Sequence, residues 1–258
     1  MVSRGFGVAA GLDADVAAPL AARCAELGYD SMWSNDTPLA LGLETVAAFS
    51  GAASALDLGV TMAVDRHSPA EIADQIDRFG LDRARLWIGI GAGVSAKPLT
   101  AMREAEPELR SALPGVRLVL AAMGPKMCAL AGERYDGVFF NWMTPEFAAS
   151  AREHVEAGAR EAGREPPPVC GYVRTAVGPD AADRLAKEEG FYRNLHDWYA
   201  AHFERLGEPE GTVGIAAASR DEAQATLGAY KALDVTVVRA LASANVEAMT
   251  ALAEATAP

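Results

Sequence analysis

Asn35, Asp36 and Thr37 follow one another at the end of a strand-like segment, Trp33-Ser-Asn-Asp-Thr-Pro38. An amide, a carboxyl and a hydroxyl side by side at a strand's carboxyl end could meet a ligand in the mouth of a parallel barrel. The same residues can instead close a turn and cap the next helix. A second chemical segment runs from Leu118 to Glu146 and reads as strand, Gly124-Pro125 turn, helix, strand and turn. Free N–H groups at the start of that helix, with Lys126 beside them, suit an anion, although Gly-Pro also opens ordinary helices. Asn141 and Trp142 leave the second strand of this segment. Their amide could bond a ring edge, and the indole could cover a ring face or fill the core.

Glycines in Gly89-Ile-Gly-Ala-Gly93 end another strand, and Gly91 and Gly93 would let backbone approach a planar ring or a phosphate. Arg174 interrupts an otherwise small and apolar strand, so it requires a partner: a ligand, or a carboxylate such as Asp36. Arg239 ends the last strand, where parallel barrels often hold phosphate. Asp65 and Arg66 could pair within a loop. No Ser/His/Asp or Cys/His motif, HExxH motif or acid/base carboxylate pair emerges. Cys24, Cys128 and Cys170 lie far apart in apolar contexts, without metal-ligand spacing. Glycines, amides and aromatics without acid/base machinery suit a cofactor that brings its own chemistry.

These residues are positioned by an alternation of strand and helix that runs the length of the chain. Strands are expected at Gly5–Ala10, Tyr29–Ser34, Leu58–Val64, Leu86–Ile90, Val116–Ala121, Gly137–Asn141, Val169–Val177 and Val235–Arg239, with a short extra one near Val213–Ala216. Helices fall between them. Ser68, Pro69 and Glu71 form a capping-box pattern, Pro107 is expected to disturb its helix, and Asp180–Leu206 reads as one long polar helical stretch. About eight βα units without a long linker predict a closed (β/α)8 TIM barrel as a single domain over 1–258. The competing doubly wound sheet lacks a GxGxxG after the first strand.

The chain has 258 residues, 50% of them hydrophobic, and a formal net charge of −12. That acidity disfavours nucleic acid. No apolar run is long enough to span a bilayer, the N-terminus lacks a signal-peptide pattern, and an odd cysteine count points to a reducing, cytoplasmic setting.

Several segments together resemble the luciferase-like oxidoreductases, in the coenzyme-F420-dependent branch that includes methylenetetrahydromethanopterin reductase. They are Ala25–Trp33 with Asp36, Asp65–Ile72, Arg85–Gly93 and the Leu118–Glu146 segment, in family order across about the first 60% of the chain, with looser matches at Tyr172–Gly178 and at the final strand and helix. The resemblance implies a barrel with shortened insertions and an isoalloxazine-type ring across its mouth. It places a non-prolyl cis peptide near Val60 and Thr61, sets Gly91, Gly93 and the run Ala121, Ala122, Met123 and Gly124 with Pro125 along the cofactor, and makes Asp36 the acid. It further implies a small-molecule substrate and a homodimer. Two positions depart from the family pattern: Thr37 stands where many F420-dependent members have His, and Val94 where the sugar-phosphate dehydrogenases have Glu. The expected activity is hydride transfer between F420 and a small organic substrate. The alternatives are an FMN-dependent monooxygenase and a non-catalytic flavin-binding barrel.

Overall fold

The computed structural model describes residues 3–258. Its first half contains β1 (Ser3–Ala9), α1 (Ala14–Glu26), β2 (Ser31–Asn35), α2 (Gly42–Ala52), β3 (Asp57–Ala63), α3 (Pro69–Arg78), β4 (Leu86–Gly91), α4 (Pro98–Ala112) and β5 (Arg117–Ala122). Then come α5 (Pro125–Arg134), β6 (Gly137–Asn141), α6 (Pro145–Glu161), β7 (Val169–Val177), α7 (Ala181–Arg193), α8 (Asp197–Leu206), β8 (Ile215–Ala217), α9 (Arg220–Leu227), β9 (Val235–Ala240) and α10 (Val246–Ala255). The strands are parallel and ordered β6-β5-β4-β3-β2-β1-β9-β7-β8, and a further β6–β7 pairing closes eight of them into a barrel. The short β8 attaches outside the ring, to β7.

Alternation along the strands separates two environments. Phe6, Val8, Met32, Leu58, Ile88 and Leu120 face the helices and belong to the main core. Trp33, Val119, Phe139, Cys170, Tyr172 and Val237 fill the barrel interior. The interior is crowded enough to require glycine: a Cβ on Gly59 would lie 2.1 Å from the Trp33 ring. At the amino ends of the strands, Arg117 binds Asp57 with both terminal nitrogens at 2.9 Å and lies over the Trp87 ring. The last turn of the chain is tied back to the barrel by Arg4 Nη1 to the Thr256 carbonyl and Tyr29 Oη to the Ala253 carbonyl.

Most local expectations hold. Ser68 and Glu71 make the reciprocal capping box, and Gly28, at φ +86°, follows the end of α1. Three need correction. Pro107 lies inside an unbroken α4. The Asp180–Leu206 stretch is two helices, separated around Asn194–His196. No cis peptide occurs among the described residues, so the Val60–Thr61 bond is trans. No helix among them is long and apolar enough to cross a membrane.

α7 and α8 pack over the β6–β7 side of the barrel through a separate cluster of Trp142, Leu185, Phe203 and Val213. His202 is fully buried there. Its Nε2–H donates to the Trp142 carbonyl at 2.5 Å, and Nδ1 lies 3.2 Å from Arg205 Nη2. Because arginine can only donate, Nδ1 must accept, which selects the neutral Nε2–H tautomer. Burial, opposed by the bond to Trp142, holds the pKa of His202 below its ordinary value, with Arg205 adding to the lowering. The unfolded chain therefore binds this proton more readily, so stability rises with pH through this range. It is complete above the unfolded histidine pKa of about 6.5 and is lost as pH falls toward the lower folded value. Urea unfolding midpoints are expected to fall between pH 7 and 5, and His202→Gln should flatten that part of the profile.

Candidate functional site

The carboxyl ends of the strands form the mouth of the barrel, and its lining follows from the pleat. Asn35, Thr61, Ala63, Gly91, Ala121 and Asn141 occupy inward positions above the aromatic interior and are half-buried. Trp33, Phe139 and Tyr172 form the floor, with Phe139 set 4.8 Å from Trp33 and 4.6 Å from Tyr172, centroid to centroid. Tyr172 Oη donates to the Ser34 carbonyl at 2.9 Å, and burial pushes its pKa up to about 12, so the floor is neutral.

The β3–β5 wall is built from small residues. A Cβ on Gly91 would make only ordinary contact, 3.5 Å from Ala121 Cβ and 3.8 Å from the Met62 carbonyl oxygen. The β7–β9 wall is basic. Arg174 and Arg239 are register partners on adjacent strands, and both are buried. Burial depresses the pKa of Arg174; Tyr192 opposes it next in size, Arg239 adds a smaller lowering, and Glu188 and Tyr199 oppose more weakly still. A guanidinium nonetheless keeps its proton in a protein.

Asp36 lies just past β2 with a buried side chain. Its Oδ1 accepts from Gly42 N–H at 2.7 Å, while Oδ2 lies 2.7 Å from His67 Nε2 and 3.6 Å from Arg66 Nε. Arg66 Nη1 also donates to the Thr37 carbonyl at 2.5 Å. The next loop joins the set: Asp65 Oδ2 accepts from Val94 N–H at 3.0 Å and packs against Gly93, whose φ of +59° suits glycine. Three strand-end loops are thereby locked together. Asp65 and Arg66, an expected loop pair, bind different neighbours instead.

The mouth therefore gathers Asn35, Thr61, Gly91, Ala121, Asn141 and Arg174. Asp36, Thr37 and Gly93 hold the loops at its rim, and Met123, Gly124 and Pro125 lead from β5 into α5. Gly124 caps that helix without a side-chain bond, and a Cβ there would meet nothing within 4 Å. The side chains of Val60 and Ala122 point the other way, into the helix-facing core, because strand neighbours alternate. Trp142 also departs from its expected place over the mouth. It adopts φ +52°, an uncommon conformation for a bulky residue, and its ring is buried among Tyr192 and Phe203 with the Arg174 guanidinium 3.7 Å above it. The carboxylate nearest Arg174 is Glu188, at 3.9 Å, and not Asp36. His67 and Arg239 complete the arrangement. His67 lies within the Asp65–Ile72 segment that carries the resemblance but belongs to no chemical motif there, whereas Arg239 ends a strand.

The mouth of this parallel barrel sets a small-residue wall against amides and cations over an aromatic floor, at the strand ends where α/β barrels carry their sites. The luciferase-like monooxygenase family profile matches residues 104–254, more than half the chain. The chain belongs to the luciferase-like monooxygenase family. It is 27% identical over 193 residues to 5,10-methylenetetrahydromethanopterin reductase of Methanolobus tindarius, an alignment covering 60% of this chain and 59% of that protein. The chain thus spans about three fifths of the curated relative's length. The fold is that of coenzyme F420-dependent tetrahydromethanopterin reductase from Methanopyrus kandleri (TM-score 0.73, 17% identity, 99% and 97% of the two chains). It is likewise that of the oxygenating constituent of 3,6-diketocamphane monooxygenase from Pseudomonas putida, solved with FMN (TM-score 0.66, 15% identity, 100% and 99%).

Proposed function

We propose that this chain is a redox enzyme that holds a flavin-type ring across the barrel mouth and acts there on a small organic substrate. The observation that carries the reading is the wall of Ala63, Gly91 and Ala121, where a planar ring can lie close to the backbone without displacing a side chain. An FMN-dependent monooxygenase is the first reading, because the family profile that matches describes monooxygenases. FMN bound in its reduced form would supply the two electrons, and dioxygen as co-substrate would supply the oxygen atom. Thr61, Gly91 and Ala121 would support the ring, Asn35 and Asn141 would meet polar edges, and Met123, Gly124 and Pro125 would accompany the tail. The aromatic floor would exclude water from below.

Asp36 and His67 would handle protons. With Nε2 held by the carboxylate, His67 Nδ1 is the ring nitrogen left to exchange a proton with substrate or solvent. This pair supplies from a neighbouring loop the histidine that position 37 lacks, which weighs against the reading as a non-catalytic barrel. Hydride transfer with F420 is the second reading, favoured by likeness to the Methanolobus reductase. Both readings take residues 1–258 as one domain acting as a homodimer.

Fluorescence titration of the purified protein with FMN and with F420 separates the two. Saturable FMN binding with no F420 binding supports the first, and the reverse supports the second. No binding of either at high micromolar concentration would sink both.

A further inference from the structure

Arg174 and Arg239 stand next to each other in the β7–β9 register, with relative exposures of 3% and 6%. Cationic neighbours in a poorly hydrated wall repel each other and lose hydration, so such a pair calls for negative charge. The fold supplies little. Arg239 has no carboxylate within 4.0 Å among the described residues, and its one hydrogen bond is a long 3.3 Å contact from Nη1 to the Ala240 carbonyl. Arg174 donates from Nη1 to Asn141 Oδ1, while Glu188 stays 3.9 Å from its Nε, and that glutamate side chain is 29% exposed. The Nε atoms of both arginines are buried without a partner.

Aromatic neighbours account for the faces of these cations but not for their edges. The Arg174 Cζ lies 3.7 Å from the Trp142 ring centroid and 4.8 Å from that of Tyr192; Arg239 Cζ lies 5.8 Å from that of Tyr172. A π face attracts the cation but accepts no in-plane N–H bond, and those edge donors are what bind carboxylate or phosphate. The pair also stands apart from the small-residue wall. Within the closed ring, β6 and β7 separate β9 from β5, the strand that leads to the uncapped start of α5.

We propose that Arg174 and Arg239 form a seat for the substrate's anionic group, a carboxylate or a phosphate, on the β7–β9 side of the mouth. The assignment to substrate rests on reading the mouth as the redox site. It places Arg174 with the substrate instead of the cofactor. The enzyme's substrates would then be small organic acids or phosphate esters, oriented with the anion on this wall and the reacting carbon toward β3–β5.

The test is calorimetric titration with inorganic phosphate and with succinate, in protein free of cofactor and in protein saturated with whichever of FMN or F420 binds. Saturable binding of at least one anion is expected, weakening as sodium chloride is raised. It should be weakened about tenfold or more by Arg239→Met, since each lost bond involves a charged group, and should persist with the cofactor bound. Absence of saturable binding of both anions, or equal binding in the variant, overturns the seat. Displacement of the anion by the cofactor overturns the substrate assignment and gives the arginines to the cofactor tail. Should Arg239→Met not fold, Arg239→Lys and Arg174→Lys replace it, because each keeps the charge but loses the planar fork; binding unchanged in both would count against the seat. Anion binding without cofactor binding leaves the seat standing and sinks the redox reading; cofactor binding without anion binding does the reverse.

Discussion

Gly91→Val is expected to weaken flavin or F420 binding by roughly 10- to 100-fold while leaving the thermal midpoint within a few degrees of the parent. Overpacking commonly costs roughly 1–3 kcal/mol, and here the cost falls on the bound state alone. The separation of binding from stability follows from the geometry. Gly91 is the last residue of β4, and a Cβ there would contact Ala121 Cβ at 3.5 Å, an ordinary distance. A branched side chain extends from that point into the space over the β3–β5 wall. The contrast is Gly59, two layers lower, where a Cβ would lie 2.1 Å from the Trp33 ring and the fold itself would suffer. Fluorescence titration paired with a melting curve checks the claim. Unchanged cofactor affinity in a folded Gly91→Val protein would remove the ring from this wall.

The second large effect is on stability. Gly132 of α5 and Gly158 of α6 bring two helices together backbone to backbone. A Cβ on Gly132 would lie 2.0 Å from the Val155 carbonyl oxygen, and one on Gly158 would lie 2.0 Å from the Ala129 carbonyl oxygen. Because the obstacle is backbone, no rotamer change relieves it, and the helices must separate. Gly132→Ala gains about 1 kcal/mol in helix propensity, against an overpacking cost at or above the upper end of the usual range, roughly 3 kcal/mol. A net loss of about 2 kcal/mol is expected, or roughly 4–8 °C in melting temperature for a domain of this size. Gly158→Ala should behave alike, and the double variant should lose less than the sum, since the first separation makes room for the second Cβ. A melting temperature equal to the parent's would show that the helices do not meet this closely. The effect reaches the mouth as well, because α5 begins at Pro125, directly after Gly124.

What the sequence determined by itself is local in origin. The strand–helix alternation, the Ser68–Glu71 capping box, the glycine that follows α1 and the short strand after α8 each depend on a few neighbouring residues, so periodicity and turn chemistry reveal them. They suffice for a parallel barrel, and residues such as Asn35, Gly91 and Asn141 can be read as mouth positions from the barrel alone, whereas Thr61 and Ala121 enter only through the family resemblance. The tertiary structure decided what those positions face. Pleat phase turned Val60 and Ala122 into the outer core, because strand neighbours point to opposite faces. The helices after β7, together with the positive φ of Trp142, drew that ring away from the mouth and under Arg174. Loop packing carried His67 onto Asp36, and closure of the ring set Arg174 beside Arg239. These partners are distant in sequence and belong to no shared motif. Their charges and donors acquire chemical meaning only when closure of the barrel brings them together out of water.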